Sequence, residues 1–179
     1  MAIVDLIPLQ TTFPTAKKQL VLSALRKLWS GLSASFWQAS AESLTLHLKP
    51  GDSRNRLTPK FDTILVVEDI PQYAQASLEV IGQFYKDAEL TVHICHTFTA
   101  ALKTFQQNDI KLVILDLDLD DLDGDGALLL KNYRLNKPGI IVLANSSESR
   151  YNEILLKGGA IASVGKNARN LHKWLTDNG

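Results

Sequence analysis

Leu112-Val113-Ile114-Leu115-Asp116-Leu117-Asp118 runs four aliphatic side chains in a row straight into two acids. An aliphatic run this short, bounded by polar residues, reads as a strand buried on both faces, which is how strands of a parallel sheet are written. Working outward, Thr63–Val67, Leu90–His96, Ile140–Leu143 and Ile161–Val164 carry the same signature. Between these runs the apolar residues switch to helical spacing: Ala74, Leu78, Ile81 and Phe84–Tyr85; then Ala101, Leu102 and Phe105; then Leu128–Tyr133, Tyr151–Leu156 and Leu171–Leu175. Five strands alternating with five helices predict an α/β fold, a doubly wound five-stranded parallel sheet with helices on both faces.

Sheets of this kind form their sites where strands end, at a switch in strand order. The residues at those ends are therefore informative. Glu68 and Asp69 follow the first strand, Asp116 and Asp118 the third, Asn145 and Ser146 the fourth, and Lys166 the last. Carboxylates gathered at one edge repel one another, and a hard divalent cation with a nearby lysine relieves that repulsion. A carboxylate in such a setting can attack a phosphoryl group, with the cation and the lysine neutralising the transferring oxygens.

On these motifs the chain from about residue 61 to 179 resembles the response-regulator receiver family, whose fold is flavodoxin-like. Ile64-Leu65-Val66-Val67-Glu68-Asp69 is similar to the family's first strand and acidic pair, and Leu112–Asp116 to its third strand and phosphoacceptor. Asp123-Gly124 is similar to its Asp-Gly loop, and Gly159-Ala160 followed by Lys166 to its fifth strand and lysine. Lys166 lies 50 residues beyond Asp116, a usual family separation. The resemblance implies that Asp116 is phosphorylated and that Mg²⁺ is held by Glu68, Asp69, Asp116 and the Asp118 carbonyl. It implies further that Lys166 pairs with the phosphoryl group. The implied partners are a histidine kinase or phosphotransfer protein and an unidentified downstream protein. No catalysis is expected beyond accepting and hydrolysing the phosphoryl group.

The chain departs from the family where the signal is normally read out. Ala144 occupies the position of the switch Thr or Ser, and Ser163 that of the switch aromatic. Asn145 and Ser146 are the available substitute donors, and Asn167 replaces the proline after the lysine. These departures favour a rival reading, a pseudo-receiver used only as a docking surface. A remoter rival is a haloacid-dehalogenase-type phosphatase, whose nucleophile motif Asp116-Leu117-Asp118 resembles. The six aspartates of 116–125 include an opening similar to a calcium loop, but Asn132 stands where its closing glutamate belongs. The expected reading of that loop is a solvated acidic surface. His93 and His96 read as packed or edge histidines, Cys95 as a buried hydrophobe, and Trp174 as a residue that closes the core.

Residues 1–60 read as an extension of unknown role ending in the polar linker 49–60. A helix opened by Pro14, with Leu20, Val21, Leu25, Leu28 and Trp29 on one side, precedes an alternating strand at Leu44, Leu46 and Leu48. This helix and the last one are candidate contact surfaces, and the extension is a candidate segment for self-association into a homodimer. Nineteen basic residues balance nineteen acidic ones, so overall charge does not favour nucleic acid or an anionic membrane. One cysteine and the absence of a long apolar run or a leader-like start predict a cytoplasmic protein. No effector domain is recognisable after Asn178-Gly179, so output through protein contact is expected.

Overall fold

The computed structural model describes residues 32–39, 43–50, 59–86 and 88–179. Seven strands form one sheet: β1 (Leu32–Ala39), β2 (Ser43–Pro50), β3 (Thr63–Val67), β4 (Leu90–Cys95), β5 (Leu112–Leu115), β6 (Ile141–Ala144) and β7 (Ala162–Ser163). Five helices follow from β3 onward: α1 (Pro71–Phe84), α2 (Phe98–Gln107), α3 (Gly126–Asn136), α4 (Ser149–Gly158) and α5 (Ala168–Asn178). The sheet order is β1-β2-β4-β3-β5-β6-β7. The five strands expected from the aliphatic runs are all there and pair in parallel, Val66 beside Ile94 on one side and beside Ile114 on the other. β3 is therefore the point from which the order runs both ways, and its carboxyl end, with that of β5, borders the switch crevice.

The first four aliphatic runs are buried because helices cover both faces of the parallel set, whereas in the last one Ile161 is exposed and only Val164 is buried. On one face Ile64, Val66, Ile114 and Leu143 pack with Leu78 and Ile81 of α1 and Leu171 and Leu175 of α5. On the other, Leu65, Val67, Val113, Leu115 and Val142 pack with Phe98 and Phe105 of α2, Leu129 and Tyr133 of α3, and Leu155 of α4. Trp174 packs at the edge of the first core with its ring stacked on Phe61 at 5.7 Å, in keeping with a core-closing role. Cys95 is buried and free, also as expected.

Three strands differ in extent from the sequence reading: β4 stops at Cys95, one residue short of the expected His96. β6 runs one residue later than expected, which places Ala144 inside the strand. β7 is only Ala162–Ser163.

The strand expected around Leu44, Leu46 and Leu48 is β2, and it belongs to the same sheet. With β1 it forms an antiparallel hairpin laid along β4, Leu46 opposite Val92 and Leu44 opposite Ile94. The three leucines enter the α1/α5 core, while Thr45 and His47 face the other way. There they make side-chain pairs with β4: Thr45 Oγ1 and His93 Nδ1 are 2.9 Å apart, as are His47 Nδ1 and Thr91 Oγ1. In β1 the register slips between Ala34 and Phe36, leaving Ser35 as an extra residue. The helix expected after Pro14 lies outside the described residues. None of the helices described is long and apolar enough to cross a membrane.

Candidate functional site

The parallel strands deliver the acids to one place. β3 ends at Val67, so Glu68 and Asp69 leave the sheet at its carboxyl edge, and the backbone N–H of Asp116 still bonds Val67 O at 3.0 Å. One carboxylate oxygen each from Glu68, Asp69 and Asp116 lies within 4.8 Å of the others. Lys166 reaches the same point from the loop after β7. Its Nζ is 2.6 Å from Asp116 Oδ2 and 2.9 Å from Glu68 Oε1. Glu68 is fully buried, Asp116 nearly so, and only 6% of the Lys166 side chain is exposed. The four side chains expected to meet do meet. Asp118 is exposed, yet its charge is felt by Asp69.

Several short-range constraints shape this cluster. Asp116 Oδ1 accepts the Leu117 N–H at 2.7 Å, which turns Oδ2 to Lys166. A Cβ on Gly126 would lie 2.0 Å from Asp116 O, so only glycine lets α3 begin against the backbone of the nucleophile candidate. Asp125 caps α3 through Leu128 N, and its neighbour Gly126 opens the helix. The Asp-Gly pair at the start of α3 is thus Asp125-Gly126, two residues later than the Asp123-Gly124 singled out from sequence. The earlier pair instead ties the loop to α2. Asp121 Oδ2 accepts the Phe98 N–H, Asp123 Oδ2 accepts the Thr99 hydroxyl, and Gly124 packs on the Phe98 ring. The carboxylates that suggested a calcium loop are engaged as hydrogen-bond acceptors for a helix start.

Burial sets the electrostatics. It pushes the Glu68 carboxyl up to about 7; the hydrogen bond from Lys166 opposes this, and the Asp116 charge adds to it. Asp69 is raised as well, by burial first and then by Asp116 and Asp118. Burial would lower Lys166, but Asp116 and Glu68 together hold it above its usual value.

One oxygen of the cluster stands apart. Glu68 Oε1 accepts from both Lys166 Nζ and the Ile70 N–H, whereas the buried Oε2 finds no hydrogen-bond partner among the described residues. An all-oxygen donor set with one buried carboxylate oxygen unpaired suits a hard cation such as Mg²⁺. Glu68, Asp69 and Asp116 are the side chains that would hold it.

The two residues that the resemblance sets at the switch positions lie next to each other. Ala144, buried, ends β6 and pairs with Ser163 of β7, which is exposed. Asn145 is buried and its Oδ1 accepts the Lys166 N–H at 2.8 Å. That bond holds Lys166 in the left-handed region (φ 51), beside Gly165 (φ 59), a conformation costly for a residue with a Cβ.

Ser146 is also buried, and its backbone is gripped from both sides by Asn152 of α4. Ser146 N donates to Asn152 Oδ1 at 2.9 Å, and Asn152 Nδ2 donates to Ser146 O at 2.8 Å. Asn152 was missed from sequence. The signal was a polar residue three before Leu155, on the apolar side of an amphipathic helix. Tyr73 was missed too: its ring lies over Lys166 Nζ at 4.3 Å, a contact between residues that no local pattern links. His96 Nδ1 lies 2.6 Å from the Glu68 carbonyl oxygen, which packs it behind the site as an edge residue.

A profile of the response regulator receiver domain family matches residues 64–175, and the chain belongs to that family. Solved structures agree on the fold. NtrX from Brucella abortus in complex with ADP superposes with a TM-score of 0.56 at 21% identity, over 64% of this chain and 26% of that one. The isolated receiver domain of NtrX gives 0.54 at 19% identity, over 65% of this chain and 99% of that domain. A CheY-like receiver domain protein from Methanospirillum hungatei gives 0.51 at 21% identity, over 65% and 92%. The chain spans about a quarter of the full NtrX chain. No curated protein matches it. Membership of this family places the chain in two-component signalling.

Proposed function

We propose that the chain accepts a phosphoryl group on Asp116 from a phosphohistidine donor, a histidine kinase or phosphotransfer protein, and signals through a changed protein contact. The observation that carries this is the position of Lys166 Nζ, 2.6 Å from Asp116 Oδ2 and 2.9 Å from Glu68 Oε1 in a nearly closed acidic site. An Asp116 carboxylate oxygen attacks phosphorus. The new O–P bond forms as the P–N bond breaks, and the electron pair returns to the donor imidazole. Lys166 neutralises charge on the phosphoryl oxygens. Asn145 acts through Lys166, holding its backbone so that the ammonium faces Asp116. Mg²⁺ at Glu68, Asp69 and Asp116, with the Asp118 carbonyl, would supply the remaining neutralisation. We place residues 61–179 as the receiver unit of a cytoplasmic protein, with 1–60 as an extension that adds the hairpin.

The pseudo-receiver reading has an observation of its own: Ala144 and Ser163 cannot make the usual switch contacts. Beryllofluoride with Mg²⁺, which mimics the acyl phosphate, separates the two. Phosphotransfer requires a bound-fluoride signal in ¹⁹F NMR that Asp116→Asn abolishes. A fold-competent protein that gives no such signal at millimolar Mg²⁺ is a docking module instead.

A further inference from the structure

Lys166 is held at three points. The ammonium pairs with Asp116 and Glu68, the amide is bonded by Asn145, and the face of the Tyr73 ring covers Nζ. The third contact comes from the first turn of α1 and differs from the others in one respect. Tyr73 is 40% exposed, so a single ring touches a buried charge on one side and solvent on the other. Around it, Ala76 and Ser77 of α1 and Ala168 and Leu171 of α5 line a shallow groove.

The route at the end of β6 is closed by comparison. Ala144 offers no hydroxyl to a phosphoryl oxygen, Ser163 no ring to swing, and Asn152 fixes the Ser146 backbone through two hydrogen bonds.

We propose that Tyr73 is a positioning residue for Lys166 whose ring follows the ammonium when the charge on Asp116 changes. On this account α1, and not the β6–α4 loop, presents the state of the site at the surface. The proposal rests on Asp116 being the phosphoacceptor. A phosphoryl group there carries the anionic oxygens outward from the carboxylate. The ammonium that pairs with them moves away from Glu68 Oε1, and the ring, bound to it by cation–π attraction, moves with it and keeps that contact. In the resting state the ring also restricts a side chain that is rich in rotamers, so less freedom is lost on binding.

The test uses the full chain labelled with 3-fluorotyrosine, which gives four ring signals, the Tyr73 signal being assigned from Tyr73→Phe. Mg²⁺ and beryllofluoride are then added. The expected result is a bound-fluoride resonance, a shift of the Tyr73 signal, and unmoved amides at Ser146 and Ser147. Tyr73→Phe, which keeps the ring face, binds beryllofluoride as the parent does. Tyr73→Leu binds it about threefold to thirtyfold more weakly. A bound-fluoride resonance with a silent Tyr73, or full affinity in Tyr73→Leu, overturns the proposal while leaving phosphotransfer intact. Absence of any bound-fluoride resonance overturns both.

Discussion

Ala144 and Ser163 stand opposite each other on the last rung of the β6–β7 ladder, so the two positions that the resemblance sets at the switch meet at one spot, where Ala144 has no hydroxyl and Ser163 no ring. Restoring one without the other leaves nothing for it to act on. Ala144→Thr is fully enclosed and should cost about 1 to 3 kcal/mol through overpacking. Neither it nor Ser163→Tyr alone should make the Ser146 amide respond to beryllofluoride, because Asn152 still grips that backbone. The triple variant Ala144→Thr, Ser163→Tyr, Asn152→Ala should respond. Amide shifts of Ser146 in the three proteins check this.

Asn145→Ala should lower stability by about 1 to 3 kcal/mol, the cost of leaving the Lys166 amide without its acceptor. The left-handed Lys166 backbone then loses its tie, so the affinity for beryllofluoride should fall as well. Urea denaturation and a fluoride titration on the same protein measure the two effects. A variant that loses neither would show the bond to be dispensable.

Lys166→Met strips the only cation within bonding distance of Asp116 and Glu68 among the described residues. Removing one partner of a buried ion pair costs roughly 3 to 5 kcal/mol. The cost should depend on pH with a definite sign. Glu68 already sits at about 7 against an ordinary 4.5, so the folded protein holds a proton that the unfolded chain has released. Stability from this group falls as pH rises from 4.5 through 7. Lys166→Met should therefore be less damaging at pH 6 than at pH 8, and Mg²⁺ should return part of the loss. Thermal denaturation at both pH values, with and without Mg²⁺, decides it.

Leu46→Ala tests whether the hairpin is part of the folded unit. Leu46 has no exposed surface and belongs to the same core as Ile64 and Ile81. Truncating a leucine in such a place costs about 2 to 5 kcal/mol. A hairpin resting loosely on β4 would give well under about 1 kcal/mol, as surface substitutions do.

His93 supplies a second pH response, of opposite sign. Burial, with the His47 charge as a lesser cause, lowers it to about 4 from 6.5. Between these values the unfolded chain binds a proton that the folded protein refuses, so its contribution is complete above pH 6.5 and is lost as pH falls toward 4. Because His93 faces Thr45, acid should loosen the hairpin first. Hydrogen exchange at the β2 and β4 amides at pH 7 and pH 5 follows this, and His93→Gln should flatten the difference.

Much of the site was legible because its residues sit at the ends of runs that only a parallel sheet explains. Once β3, β5 and β7 were placed, Glu68, Asp69, Asp116 and Lys166 had to share one edge. What escaped notice depends on contacts with no local signature. The Tyr73 ring meets Lys166 across nearly a hundred positions, and Asn152 reads as an ordinary polar residue until its helix is packed. The alternation of Leu44, Leu46 and Leu48 announced a strand but not its neighbour. Pairing β2 with β4 is a choice made by the shared core, and periodicity carries no address.

The extra residue at Ser35 bears on how the molecule behaves in a crowded solution. A strand at the rim of a sheet is a ready template for another chain, and β1 is outermost among the strands described. With Ser35 bulging between Ala34 and Phe36, an incoming strand meets a stepped rail that it can follow for only a few residues before losing step. The hairpin thus hides the smooth flank of β4 and offers in its place one on which fibrils are hard to seed.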